Sequence, residues 1–435
     1  MPSSLWQLLS QHPEFIAMLT IPPVTAFVTW AHVWMALEML FYPISFWGVR
    51  VKNMPFGLQG LGWQGIVPAK AGKISGVIVD QTLSKLGSLD EFFQAMNPEE
   101  MAEFITATVD KNLESLIDEI MLERYYALWM HTPYAIKRRI YAHAHAELPN
   151  IMKSLILDLT YRVEELVDMR QMIVKRMESD RKLMVKMFLK VGKKEINFIW
   201  KISAVIGFGF GIIQMGIFYF VPQHWTVPFF AGIWGALTNW IAIWMVFNPI
   251  VPVPVWFVRL FRRENGRVVP MIPHLYRYGW QGGFMKRQDE VSTVFAEIVV
   301  KELVTLENVM HEMMYGTRAD KTRELMKSHL YEMLESPVVS TTLKMGMGNS
   351  LDEFKDTIID KSIDATMVPI RDPELNTSRA SKIFGLFESR IRALTPHEFQ
   401  NLLRPAFKED EMTLVVLGAI TGVLAGWLHL VVVFF

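Results

Sequence analysis

The chain has 435 residues, 51% of them hydrophobic and 20% charged, which is enough for two or three structural units and too apolar for intrinsic disorder. Its 44 basic and 44 acidic residues cancel, so no general electrostatic pull draws it to nucleic acid, although local basic patches stay open. Cysteine is absent, which removes disulfides, thiolate nucleophiles and cysteine-ligated zinc in one step.

Met1 to Ser10 contains no basic residue and no small-residue cleavage site, so no cleavable signal is expected there. Ile21 to Tyr42 is the first of four stretches with the length, about 20 residues of helix, needed to cross a bilayer. Pro22 and Pro23 are expected at its entry, where a missing N–H is tolerated, and His32 and Glu38 interrupt its apolar run. Phe46 to Pro68, rich in glycine and aromatic residues, fits a short hairpin or an interfacial loop. From Ala69 to about Phe93 the pattern turns helical, and Asn97-Pro-Glu-Glu100 reads as a capped helix start.

From Ile151 to Lys194 the apolar residues follow three-and-four spacing. Unbroken, that stretch would form a stalk on the order of 65 Å long; broken, it would be an ordinary set of core helices. Met169, Met172, Met177, Met184 and Met187 recur on or beside this face, where core packing is the favoured role over an adaptable binding surface. The remaining crossing-length stretches are Ile202 to Val221, Val227 to Phe247 and Met412 to Phe435. Between the last two, Val251 to Phe261 is too short to cross and is broken by Pro252 and Pro254, so it is expected to lie at the interface. Helical patterns follow over Glu290 to Met314, Lys321 to Leu334, Leu351 to Met367 and Ser378 to Arg392, and Thr395-Pro-His-Glu398 resembles a capped start.

Two halves of this order carry matching residues. Trp34, Ala36, Met39, Phe41 and Pro43 fall in register with Trp240, Ala242, Met245, Phe247 and Pro249. Gly62-Trp-Gln-Gly65 recurs as Gly279-Trp-Gln-Gly282, and Leu86-Gly-Ser-Leu-Asp90 as Leu303-Val-Thr-Leu-Glu307 without a gap between the two matches. Ser203, Gly207 and Gly211 share a four-residue period with Gly418, Gly422 and Gly426, a spacing that lets helices approach closely. A tandem duplication is therefore expected, its halves related by a pseudo-twofold along the membrane normal.

Charge placement orients the chain. All Lys and Arg lie between Arg50 and Lys201 or between Arg259 and Lys408, with Arg50, Lys52, Lys193, Lys194, Lys201, Arg259, Arg262, Arg263 and Lys408 close to span ends. Both long segments are thus expected in the cytoplasm, and the termini and the short link Val221 to Thr226 outside. The resulting expectation is an all-α membrane protein with four transmembrane helices in two pseudo-symmetric halves, each with a long helical cytoplasmic insert. It divides into residues 1–47 (first span), 48–201 (first insert), 202–248 (two-span hairpin), 249–411 (second insert) and 412–435 (last span).

Thr238-Asn-Trp-Ile-Ala-Ile-Trp-Met-Val-Phe-Asn-Pro249, Lys286-Arg-Gln-Asp-Glu-Val291 and Gly65-Ile-Val-Pro-Ala-Lys70 resemble the signatures of a bacterial membrane family, the YheB-like proteins with domain of unknown function 445. The first copy departs from that pattern, with His32-Val33 in place of the Thr-Asn pair and Glu38 where a lysine is frequent; the second has Trp244 at that lysine position and Met285 in place of a proline. The resemblance implies an integral membrane protein and supplies no reaction.

Within the spans, Asn239, Thr238, Gln214, His32 and Glu38 are the polar candidates, because a polar side chain in hydrocarbon is costly unless paired. Glu38 lies close to Pro43, so an interfacial position is the weightier reading for it. Lys70, Lys73, Lys286, Arg287, Arg259, Arg262 and Arg263 are candidates for headgroup or anion contact, with solvated surface charge as the blander account. Gly65 to Ser75 fails as a phosphate loop, since Val67 stands where its first glycine belongs and Ile74 follows Lys73. His143 and His145 are two apart and point to opposite sides of a helix, so no metal site is expected. No catalytic residue and no cofactor is expected either. The function expected is non-enzymatic engagement of membrane lipid or an envelope protein at a bacterial inner membrane, with no nucleic-acid partner and a homo-oligomer left open. The alternative is a small transporter or channel with its polar site between the halves.

Overall fold

The computed structural model describes residues 14–50, 60–83, 86–254, 261–264, 267–270, 279–334, 361, 369–404, 408 and 411–434. Among them, four helices are long and apolar enough to cross a bilayer: α1 (Phe15–Phe41), α2 (Arg181–Phe220), α3 (Thr226–Phe247) and α4 (Glu411–His429), the last running on through a π turn to Phe434. At 40 residues, α2 extends about 60 Å and carries a polar stretch ahead of its apolar one. It starts at Asp180, whose side chain accepts the Leu183 N–H at 3.1 Å.

These four helices are apolar outside as well as inside. Phe27, Val205, Phe220, Trp427 and Val432 all point outward and stay exposed, although burying such a side chain is worth about 1.5–3 kcal/mol in water. Only about a third of each apolar window is buried, between 28% and 33%. A helix that is hydrophobic all round calls for an apolar surrounding.

The chain divides into two compact units, each assembled from separated stretches. The first comprises residues 1–82, 177–295 and 391–435 and contains all four long helices. Here α1 lies along α2 and α3 along α4, with further contacts of α3 to α2 and of α1 to α4. One buried cluster, Met18, Ile21, Phe218, Val227 and Leu430, closes one end, and Val33, Ile199 and Ala242 pack further along.

Similar connections leave α1 and α3. Each begins with a cis proline bond, Tyr42–Pro43 and Asn248–Pro249. A glutamine then closes the connection, Gln64 donating to the Ile44 carbonyl at 2.7 Å and Gln281 to the Ile250 carbonyl at 3.0 Å. The glycines that follow, Gly65 and Gly282, donate to the Pro43 and Pro249 carbonyls and lie so close to the helix ends that a Cβ would sit 2.6 and 2.7 Å from backbone. In the first connection β1 (Trp47–Arg50) pairs antiparallel with β2 (Gly60–Trp63), the hairpin reading of this stretch. In the second, β3 (Val253–Pro254) pairs with β6 (Gly279–Trp280), and β4 (Phe261–Glu264) with β5 (Arg267–Pro270). Residues 255–260, within the stretch expected at the interface, lie outside the described residues.

The second unit takes in residues 83–176 and 296–390, and its described residues are helical or in the turns between helices. Ser88 and Thr305 cap Leu89–Ala95 and Leu306–Tyr315 through the Glu91 and Asn308 N–H groups, at 3.2 and 3.1 Å. Asn97 caps Pro98–Asp110 as expected. Phe92 stacks on Phe387 with ring centroids 4.1 Å apart, and Trp129 donates to Asp118 at 2.8 Å. Arg379 is buried, donating to the Met96 carbonyl at 2.9 Å and to Glu100 at 2.7 Å.

Three details differ from or settle the sequence expectation. Helix α1 begins at Phe15, so Pro22 and Pro23 lie inside it and not at its entry; Pro22 faces Gly211 of α2, and a neighbouring helix at that spot makes an interior proline tolerable. The stretch from Ile151 to Lys194 is broken at Arg162, between Val167 and Asp168, and at Asp180, with Met172, Met177, Met184 and Met187 buried. It is a set of core helices and not a continuous stalk. The helix expected over Leu351 to Met367 falls almost wholly outside the described residues.

Candidate functional sites within the helix bundle

Close helix packing comes first, because it sets where polar atoms can meet. A Cβ on Gly418 would sit 2.5 Å from the Gly235 carbonyl oxygen, and one on Gly422 2.3 Å from that of Ala231. Backbones in such contact leave room only for what is built into the seam. Asn239 of α3 is built into it: its Nδ2 donates to the Leu414 carbonyl of α4 at 2.7 Å. Thr238 is fully buried, and its hydroxyl donates to the Trp234 carbonyl of its own helix at 2.7 Å, which satisfies it without a partner from elsewhere.

Gln214 of α2 and His429 of α4 bond outward from their pairs. Gln214 donates through Nε2 to the Val227 carbonyl of α3 at 3.1 Å, and His429 Nε2 meets the Thr20 hydroxyl of α1 at 3.0 Å. His32 of α1 bonds through Nδ1 to the Val28 carbonyl at 3.0 Å. His32, Gln214, Trp234 and His429 line one cavity of about 20 Å³. Two buried atoms of these residues, Gln214 Oε1 and Trp234 Nε1, have no hydrogen-bond partner, while the His32 ring also meets the Asn239 side chain and the Gly235 backbone. Four of the five polar span residues singled out in the sequence are thus buried in the bundle, two of them in this cavity. Glu38 is exposed and does not join them.

A second cavity, of about 60 Å³, lies between α1, α2 and α3. Leu37, Leu40, Ile196, Ile199, Ile243 and Val246 give it an apolar wall. Glu195 also lines it, only 5% exposed, with Oε1 accepting from Arg287 at 2.5 Å and Oε2 buried without a partner. Arg287 binds Glu290 as well, at 2.9 Å, and Lys194 reaches Glu290 at 2.6 Å. Sequence reasoning missed Glu195, taking from this stretch only Lys193 and Lys194 as cations close to a span end. The signal that could have found it is spacing, since Phe188, Glu195, Ile199 and Ser203 continue the stripe that leads into Gly207.

The basic candidates divide accordingly. Arg287 is committed to two carboxylates, Lys73 and Lys286 are exposed and Lys70 is half-buried. Arg262 and Arg263 lie on β4 with their side chains undescribed, and Arg259 lies outside the described residues. In the second unit, His145 is held by Asp110 at 2.6 Å, with Glu114 at 3.7 Å. The class defined by these features is, among the described residues, a bundle of four crossing-length apolar helices that encloses a small cavity bordered by His32, Gln214 and His429 and a larger apolar one. No protein-family model, curated protein or solved structure matches the chain.

Proposed function

We propose that the protein is a non-enzymatic component of a bacterial inner membrane that holds lipid, seating an acyl chain in the apolar cavity between α1, α2 and α3. The observation that carries this reading is the wall of that cavity, aliphatic side chains from three helices with the buried Glu195 and its half-buried partner Arg287 beside them. Hydrocarbon suits such a wall, and the nearby ion pair offers a place for a polar headgroup. In this reading α1 and α3 are copies of one ancestral crossing helix, α2 and α4 of its return helix, and the segments between them face the cytoplasm. The matched connections after α1 and α3 support duplication, and the confinement of positive charge supports the orientation. The resemblance to the family of domain of unknown function 445 fits the same account.

Lipid extraction and native mass spectrometry of the full chain, purified from membranes in mild detergent, test the proposal. Retained phospholipid is expected, and its loss in Ala36→Phe and Ala242→Phe, which fill the cavity; a lipid-free wild type, or equal retention in both variants, refutes it. Topology is readily mapped because the chain has no cysteine, so single introduced thiols report accessibility without background. The second reading, a small transporter, is favoured by the unpartnered amide oxygen of Gln214 close to the buried His32 and Asn239; it requires flux in proteoliposomes that Asn239→Leu abolishes.

A further inference from the structure

We infer that residues 126–139, where three helices of the second unit meet, form a docking surface for an anionic lipid bilayer. Tyr126 is 62% exposed, Met130 56% and Tyr134 75%, large side chains left outward side by side in the sequence. The segment that carries them is firmly held. Asp118 of Leu113–Arg124 accepts hydrogen bonds from Trp129 of Tyr126–His131, at 2.8 Å, and from the Tyr141 hydroxyl of Tyr134–Tyr161. Trp129 is buried, its ring meets that of Tyr141 edge-on, and Lys137 Nζ lies 4.6 Å from its centre. One carboxylate and one buried indole thus tie the three helices together, while the neighbouring rings and thioether stay in contact with the surroundings.

Charge decides what covers this surface. Residues 126–139 include no Asp or Glu, whereas Lys137, Arg138 and Arg139 follow one another. Arg138 and Arg139 are exposed and form no ion pair among the described residues. Glu123, the acid that precedes them most closely in sequence, is engaged by Lys361 at 2.8 Å. In a chain whose total charge is zero, the segment therefore keeps a local positive excess. Residues four apart share a helix face, so Tyr126 pairs with Met130 and Tyr134 with Arg138, which sets a cation beside an exposed ring. Tyrosine rings and basic side chains together suit the boundary between headgroups and acyl chains, and the cations match anionic headgroups. A bilayer surface supplies both, negative charge above and hydrocarbon just below it.

None of residues 126–139 lines the apolar cavity, so this inference and the acyl-chain reading stand or fall separately. The test again uses the absence of cysteine. Ala135→Cys, at an exposed position, takes an environment-sensitive fluorophore in the otherwise unsubstituted full chain. The labelled protein is reconstituted into vesicles of phosphatidylcholine, with or without phosphatidylglycerol, and mixed with empty vesicles of the same composition; a brominated acyl chain in each serves as quencher. Quenching is expected with phosphatidylglycerol and should weaken in high salt. It should be about fivefold or more lower in phosphatidylcholine alone, and lower to a similar degree when Arg138→Glu and Arg139→Glu are combined. No quenching with phosphatidylglycerol would overturn the inference and is the result an acidic protein partner would give; equal quenching in both lipids would overturn it as well. Both of those results come from the singly labelled chain, so misfolding of the charge-reversed variant would not rescue the proposal.

Discussion

Gly422→Ala and Gly209→Ala make the same chemical change in two long helices and should act in opposite directions. At Gly422 the new Cβ would lie 2.3 Å from the Ala231 carbonyl oxygen and 3.1 Å from the Gly232 Cα. Ordinary contact begins at 3.4 Å, so α3 and α4 must separate by about 1 Å, and the obstacle is backbone, which cannot rotate aside. Overpacking of this kind costs about 1–3 kcal/mol, and the displacement also stretches the 2.7 Å bond from Asn239 to Leu414 on the same seam. At Gly209 nothing lies within 4 Å of the new Cβ, so only helix propensity changes, in favour of alanine by up to about 1 kcal/mol. Equilibrium unfolding in mixed micelles with increasing denaturing detergent, followed by far-UV circular dichroism, measures both. If Gly422→Ala is as stable as the wild type, the seam is looser than described and the reasoning fails.

Asn239→Leu should destabilise the bundle by about 0.5–2 kcal/mol, the range for interhelical hydrogen bonds in bilayers, and the same unfolding assay reads it. Arg287→Met leaves Glu195 buried beside an apolar wall without its cation. A loss of about 3–5 kcal/mol is expected, recovered in part by the double substitution with Glu195→Gln. In pH titrations of stability, Glu100 and Glu290 should dominate the acid limb. Hydrogen bonds from Lys382 and Arg379 hold the Glu100 carboxyl down to about 2, and those from Arg287 and Lys194 do the same for Glu290. Carboxyls depressed in the folded state contribute fully above their ordinary value of 4.5, and the contribution is lost as pH falls from there toward 2. Glu100→Gln together with Glu290→Gln should therefore flatten the stability profile between those limits and leave the profile from pH 6 to 8 unchanged.

The legible part of this fold was the part governed by local rules. Apolar length located the crossing helices, and the capping residues Asn97 and Thr395 located helix starts, the latter with both bonds of its capping box formed. Repeated Gly-Trp-Gln-Gly was visible as a motif, but its role was not, because the carbonyls that Gln64 and Gln281 cap belong to chain that turns back only in three dimensions. Pro22 and Pro23 misled for a related reason: local chemistry puts proline in a first helical turn, whereas here the neighbouring Gly211 makes an interior place available. Glu195 was hidden by its sequence neighbours Lys193 and Lys194, since burial of a charge is decided by a partner 92 residues away. Polar span residues were easier to find than their roles. Thr238 and Asn239 are adjacent in sequence, yet one bonds its own helix and the other crosses to α4.

Gln214 and His429 show how the bundle divides its labour between apolar and polar contacts. Each lies three residues beyond the last glycine of its stripe, Gly211 or Gly426, and each stripe packs against the helix alongside, α2 on α1 and α4 on α3. The glycines thus fasten helices within a pair. The polar side chains do the reverse, Gln214 reaching from α2 to α3 and His429 from α4 to α1, so the two bonds cross between pairs in reciprocal fashion. Packing of small residues is tolerant of sliding along the seam, whereas a hydrogen bond in an apolar surrounding is directional, so these two contacts should fix the register of one pair against the other. Thr20→Val removes the His429 partner at nearly constant volume and should cost about 1 kcal/mol. A double-mutant cycle with His429→Leu should return most of that loss as coupling, while Thr20→Val combined with Gly422→Ala should be additive. Additivity in the first cycle would mean that Thr20 and His429 do not hold the pairs together.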